Sequence, residues 1–287
     1  MRSKGREGGQ REEPGAESRA GRAGRGPLRT GERVLLVDRK DRRYLVRLAP
    51  GGTFHTHTGI VDHDDLIGRD EGTTVETRAG PGARSGSGKY LALRPTLADV
   101  VLKMPRVAQV IYPKDLGAIL IGADIFPGAR VLEAGVGSGA LSMTLLRAGA
   151  EVTAYEIRPD FAATACRNVS EMLGAEAPFD VHERDVYEGV DGTGFDRIVL
   201  DLPEPWRVVP HAEHALSPGG IFLAYLPTIN QTAELREALD RSRFALAETS
   251  EVLRRTWHIE GRSVRPDHRM VAHTGFLTAA RLLSCPA

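Results

Sequence analysis

Hydrophobic and polar positions change rhythm three times along this chain. Residues 1–29 are Gly, Arg, Glu, Ser and Ala with almost no large apolar side chain. Burial in such a segment cannot offset its ordering entropy, so it reads as a disordered tail. Over residues 30–94 the apolar positions come in short alternating runs: RVLLVD, RRYLVRL, GTFHTHTG, GTTVETR and KYLALRP. Turn residues separate them, including APGG and the Gly/Ser-rich AGPGARSGSG, and this texture predicts a small β-domain. Residues 95–128 read as a helical bridge. Leu97, Val100, Val101 and Met104 share one face of a short helix ended by Pro105, and Pro113 opens a second helix through Leu120.

Over residues 129–287 strand and helix patterns alternate. RVLEAG, EVTAYEI, FDVHERD, FDRIVLDL and IFLAYLPT are apolar runs of strand length. ALSMTLLRAG, RPDFAATACRNVSEMLG and NQTAELREALDRSRF are helical, the last with Thr228 and Gln231 in capping-box relation. VVPHAEHALSPGG reads as a short helix and turn. ALAETSEVLRR and HTGFLTAARLL read as late strands separated by a long loop. The alternation predicts an α/β fold with a parallel, doubly wound sheet, whose ligands bind at the carboxyl ends of the strands.

LEAGVGSGAL joins the first of these strands to the first helix. Gly135, Gly137 and Gly139 let the backbone turn tightly and let a ligand approach without a Cβ in the way. Their spacing is G-x-G-x-G, not the dinucleotide G-x-G-x-x-G. Glu133 stands just before the first glycine, where it would repel a pyrophosphate and attract a sulfonium or an aminoacyl ammonium. Glu156 ends the second strand, 17 residues beyond Gly139, and a carboxylate there can accept both ribose hydroxyls of a nucleoside. Asp185 ends the third strand and suits the exocyclic amine of adenine. Three strand-end acids behind such a turn favour S-adenosylmethionine over NAD or a merely structural turn.

The fourth strand runs into VLDLPEPW. Asp201 ends it, beside the first strand in the usual order, so its carboxylate should face the methyl donor. Pro203 and Pro205 restrict the exit, and Trp206 follows. An acid here can hold an exocyclic amine, and an aromatic can pack near a flat base. Taken alone, Asp201 could equally cap the next turn. Beside the glycine loop the functional reading leads, while Trp206 still fits packing better than base stacking.

Bulk composition narrows the rest. With 287 residues, 41% of them hydrophobic, a sizeable core is available to one large or two smaller domains. The formal net charge of +0, from 38 basic and 38 acidic residues, gives no overall argument for a nucleic-acid or membrane partner. Two distant cysteines, Cys166 and Cys285, exclude a disulfide scaffold and a CxxC zinc site. A reduced, cytoplasmic setting is the default. No apolar run reaches the ~18–20 residues of a membrane span, and no signal-peptide core is visible.

RPTLADVVLKMPRVAQVIYPKD, VLEAGVGSGALS, VLDLPEPW, YLPTINQ and RPDHRMVAHTGFL together resemble the bacterial tRNA (adenine-N1)-methyltransferases that modify adenosine 58 of the T-loop. The FHTHTG stretch matches too, and the resemblance runs from about Gly31 to Leu283. It implies a Rossmann-like class I methyltransferase domain behind a small N-terminal β-domain, assembled as a homotetramer and acting on tRNA. It implies cofactor contacts at the segment from Gln109 to Tyr112 and along the glycine loop, Ser138, Ala140 and Leu141 included. Glu156 and Asp185 with Val186 complete that set. Asp201 matches the family's catalytic acid, and Tyr225 the aromatic near the target adenine.

Two further constellations stay open. His55, His57 and His63 lie near Asp62, Asp64 and Asp65 and could suggest a metal, but the resemblance supplies none, and a hydrogen-bonded turn is the better reading. The stretch from Arg254 to His273 gathers Arg255, Arg262, Arg265 and Arg269 with Trp257. A loop gripping RNA and a solvated charged loop fit it equally. Arg255, Arg265 and His273, with Trp206, are its candidates for substrate contact, and Arg265 is placed near the target pocket. A methyltransferase for another acceptor remains the alternative. A non-catalytic RNA-binding subunit should have lost the glycines or Asp201.

Overall fold

The computed structural model describes residues 26–80, 88–106 and 108–284. Residues 1–25 of the tail expected over 1–29, and most of the GPGARSGSG loop, lie outside them. Leu28, assigned to the tail by its surroundings, is instead core: it is buried, and its N–H donates to the Arg69 carbonyl at 2.7 Å. A single leucine among Gly, Arg and Pro gives no periodicity, so pattern alone could not find it.

Six strands build the small β-unit: β1 (Arg33–Asp38), β2 (Arg43–Arg47), β3 (Thr53–Thr56), β4 (Gly59–Asp62), β5 (Thr74–Glu76) and β6 (Lys89–Leu93). The antiparallel sheet runs β2-β1-β6-β5, and the β3–β4 hairpin joins it through an Ile60–Arg78 bridge. Val34, Leu36, Val46, Leu66 and Tyr90 fill its core. Two helices follow, α1 (Leu97–Lys103) and α2 (Pro113–Gly122). α1 starts in a full capping box: Thr96 Oγ1 accepts from the Asp99 N–H, and Asp99 accepts from the Thr96 N–H.

The remainder alternates as its pattern requires: β7 (Arg130–Ala134), α3 (Ala140–Arg147), β8 (Glu151–Tyr155), α4 (Pro159–Leu173), β9 (Phe179–His182), β10 (Phe195–Leu200), α5 (Val209–Ala215), β11 (Leu216–Leu226), α6 (Ile229–Asp240) and β12 (Phe244–Glu251). A hairpin of β13 (Trp257–Glu260) and β14 (Ser263–Pro266) precedes β15 (Phe276–Leu282). The large sheet has the order β12-β15-β11-β10-β7-β8-β9, with β15 antiparallel to both neighbours. Both faces are covered. Val131, Val199 and Leu223 pack with α1–α4, while Leu132, Leu200 and Phe222 pack with α5 and α6. Strand order reverses between β7 and β10, which opens a crevice at their carboxyl ends.

Two local expectations change. LSPGG is not a turn but the start of β11: Gly219 takes φ +80° and Gly220 leaves room for the Asp196 carbonyl, so a turn-like sequence runs as an irregular strand. The long loop before β15 holds the β13–β14 hairpin, whose residues are nearly all exposed, so no buried face marks it in the sequence.

Candidate active site

The carboxyl edges of β7 and β10 are joined directly. The Asp201 N–H donates to the Ala134 carbonyl at 2.9 Å. Gly135 follows with φ +84°, and a Cβ there would stand 2.0 Å from the Asp201 carbonyl oxygen. No side chain larger than hydrogen fits. The loop then caps α3 at Gly139, in the left-handed region at φ +82°.

Next to this loop lies a cleft of about 190 Å³ lined by Gly135, Glu156, Asp185, Val186, Tyr187 and Leu202, among others. Glu156 Oε2 accepts from the Gly137 N–H at 3.1 Å and Oε1 from the Arg158 N–H at 3.0 Å. A carboxylate offers about four acceptor positions, so two remain for a pair of vicinal hydroxyls. Asp185 Oδ1 accepts from the Tyr187 N–H at 2.9 Å, which leaves Oδ2 open. Ile157 is 64% exposed at the rim and presents an apolar surface to a flat base. These groups fit S-adenosylmethionine: two acceptors for a ribose, one for an amine, and glycine backbone at the turn.

Two acids lie deeper. Glu133 is wholly buried, with Oε1 accepting from Ser142 Oγ at 2.9 Å and Oε2 unpartnered. Desolvation, with the negative charges of Asp201 and Glu156, pushes its carboxyl up to about 8. It lies beneath the loop rather than facing the cleft. Asp201 is half-buried and, among the described residues, has no cation beside it; desolvation raises its carboxyl to about 7.

Tyr225, near the end of β11, completes this floor. Its hydroxyl donates to the Thr274 carbonyl at 2.6 Å, and burial raises it to about 12. The chain passes so closely that a Cβ on Gly275 would stand 2.4 Å from the Tyr225 ring. Thr274 is held in turn. Its Oγ1 donates to Asp115 Oδ2 at 2.6 Å and accepts from Lys114 Nζ at 2.5 Å. Lys114 Nζ also donates to Asp115 Oδ1 at 2.8 Å and to the Val252 carbonyl at 2.7 Å. Sequence reading missed this clamp. PKD looks like a helix start, and Thr274 lies 160 residues from Lys114.

The remaining candidates divide. Ala108 approaches to 3.8 Å of a Gly137 Cβ position, which brings the segment of exposed Gln109 and half-buried Tyr112 to the glycine loop. Ser138, Ala140 and Leu141 are buried where the loop enters α3; the Ser138 carbonyl accepts from Asn168 at 2.9 Å. His273 adjoins the clamp: Nδ1 lies 2.7 Å from Glu251 and Nε2 2.9 Å from the Pro227 carbonyl. Both partners accept, which raises its pKa. Trp206 packs, half-buried, against the core beside α5 and α6. Arg255 is exposed beyond β12. Arg265, read as near the pocket, is exposed on β14 in register with His258. The histidines near Asp62 also separate: His57 meets Arg42, His55 meets Thr53, and His63 Nδ1 accepts from the Ala49 N–H. Gln231 completes only half of its box. Its N–H donates to Thr228 Oγ1, but its side chain donates to the Pro203 carbonyl at 2.9 Å and tethers the loop after Asp201.

Fold and cleft together define a Rossmann-like, S-adenosylmethionine-dependent methyltransferase. A family model described as the tRNA methyltransferase complex GCD14 subunit matches residues 89–268, and a TrmI-like N-terminal model matches residues 26–75. The chain belongs to the TrmI family of tRNA (adenine-N1)-methyltransferases. The tRNA (adenine(58)-N(1))-methyltransferase TrmI of Thermus thermophilus is 40% identical over 255 residues, covering 86% of this chain and 96% of its own. The Methanocaldococcus jannaschii relative, 35% identical over 86% of this chain and 94% of its own, is named for adenines 57 and 58. Among solved structures, the Aquifex aeolicus tRNA (m1A58) methyltransferase TrmI superposes with a TM-score of 0.79 at 28% identity, over 91% of this chain and 100% of its own. A Thermotoga maritima structure titled a SAM-dependent O-methyltransferase reaches 0.84 at 34% identity, over 91% of this chain and 96% of its own.

Proposed function

We infer that this protein transfers the methyl group of S-adenosylmethionine to N1 of adenosine 58 in the tRNA T-loop. The observation that carries the assignment of its centre is Asp201: a carboxyl without a cation, at the reversal of strand order, one backbone contact from the glycine loop. S-adenosylmethionine supplies an electrophilic methyl on a sulfonium. Adenine N1 already carries a lone pair, so the site needs no strong base. Alkylation turns the ring cationic and spreads that charge to the exocyclic N6. Asp201, ionised as cationic groups approach, accepts a hydrogen bond from N6–H and stabilises the developing charge. It then takes the N6 proton. Tyr225, fixed by Thr274, shapes the base pocket. Glu156 and Asp185 would hold the ribose and adenine of the cofactor. Extruding the target base costs a few kcal/mol, to be offset by the contacts it makes in the pocket.

We further propose a homotetramer in the cytoplasm. The exposed apolar residues of the β13–β14 hairpin, Trp257 (56%), Ile259 (73%) and Val264 (60%), support assembly. A tRNA substrate supports the compartment, and no helix among the described residues is long and apolar enough to cross a membrane.

Digestion of an unmodified tRNA transcript after reaction, with mass spectrometry of the nucleosides, tests the assignment. The expected product is 1-methyladenosine, with reverse transcription arrested at position 58; the same map reads position 57. The Thermotoga maritima structure described as an O-methyltransferase raises an oxygen acceptor, for which a 2′-O-methyl nucleoside would appear instead.

A further inference from the structure

A second cleft, of about 380 Å³, opens where the small β-unit meets α4. Arg33 and Arg47 line it from β1 and β2, Lys103 from the end of α1, and Arg167 from α4. One acid, Glu171, faces them. It pairs with Arg33 and, at 2.6 Å, with Arg47. Lys103 and Arg167 have no acidic partner among the described residues; Arg167 donates only to Thr164 Oγ1, at 2.9 Å. Four cations around one acid leave a local excess of three positive charges in a chain whose formal net charge is +0.

Arg33 adds a second, independent sign. Its Nη1 is buried without a hydrogen-bond partner. A desolvated guanidinium N–H with no acceptor is costly. An interdomain ion pair accounts for Arg33, Arg47 and Glu171, but not for Lys103, Arg167 or the orphan donor. An oxyanion entering the cleft would satisfy all three.

We propose that this cleft binds backbone phosphates of the RNA substrate. The proposal rests on the function inferred above. Guanidinium forks match phosphate oxygens, and such contacts set position without reading sequence. The location suits that task. α4 starts two residues after Ile157 of the cofactor cleft, and Pro159 to Arg167 is about 12 Å of helix. Asn168, one residue further on, ties the same helix to the glycine loop through the Ser138 carbonyl. An RNA arm held here would be anchored to the element that frames the methyl donor.

The test is tRNA affinity as a function of KCl, for wild type and for Lys103→Ala/Arg167→Ala, with S-adenosylmethionine affinity measured alongside. Each lost phosphate contact should remove about 0.7–0.9 from the slope of log K against log salt. The double variant should therefore lose about 1.5 in slope and roughly tenfold or more in tRNA affinity at low salt. Cofactor affinity should not change, and Lys103→Arg/Arg167→Lys should recover most of the loss. An unaltered slope in the alanine variant, while wild type forms 1-methyladenosine, overturns the phosphate site and leaves the function standing. A reduced slope with no methylation by wild type does the reverse. Wild type that shows no salt-dependent tRNA binding overturns both.

Discussion

In the small β-unit and the helix that leaves it, most acids that hold elements together come with cations. Arg78 donates to Asp62 at 2.5 Å and holds its carboxyl below the usual range. Burial alone would raise Asp99, but hydrogen bonds from Thr96 and Arg43 outweigh it and leave that carboxyl lowered as well. At the carboxyl edge of the large sheet the arrangement is opposite. Among the described residues Glu133 and Asp201 have no cation beside them, and desolvation pushes them up to about 8 and about 7. The first arrangement secures the fold; the second costs stability and leaves a carboxylate ready for an incoming positive charge.

The comparison can be sharpened by removing Asp201's charge. A carboxyl raised from the ordinary aspartate value of 3.8 to about 7 favours folding only while protonated. Its ionisation therefore costs stability progressively from about pH 4 to about pH 7, up to about 4 kcal/mol at higher pH. Asp201→Asn should melt above wild type at pH 8, and the gap should shrink toward pH 4. A gap independent of pH would contradict the unpaired state.

Gly135→Ala places a methyl group against the Asp201 carbonyl and should weaken S-adenosylmethionine binding about 100-fold, read by calorimetry. Thr274→Val breaks the Lys114–Asp115–Thr274 clamp behind Tyr225. Two lost hydrogen bonds predict a kcat lower by about tenfold, with the KM for cofactor unchanged and with rescue by Thr274→Ser. Asp99→Ala, on the paired side of the comparison, should cost about 1 kcal/mol of stability by denaturant unfolding and leave kcat intact. Because the Asp99 pKa is lowered, its contribution is present at neutral pH and fades as the pH falls through that value.

What pattern revealed and what it hid follow from range. Strand–helix alternation and the strand-end acids are local signals, and they located β7–β11, the glycine loop and Asp201 directly. The clamp on Tyr225 is not local: Lys114 and Thr274 meet only because α2 packs beside the chain entering β15. The role of Gln231 in tethering Pro203 was hidden for the same reason. The cationic cleft joins residues of four elements, none of which is unusual by itself. Arg255 and Arg265 attracted attention through local charge density, and the structure sets both on exposed segments, Arg255 after β12 and Arg265 on β14.

The most direct test is single-turnover methylation of an unmodified tRNA transcript at adenosine 58 by wild type and Asp201→Asn, with cofactor saturating and its affinity measured in parallel. The predicted result is a rate lower by about 100- to 1,000-fold in the variant, with cofactor affinity within a few-fold of wild type. Near-equal rates would show that the unpaired carboxylate is not the group that stabilises the methylated base.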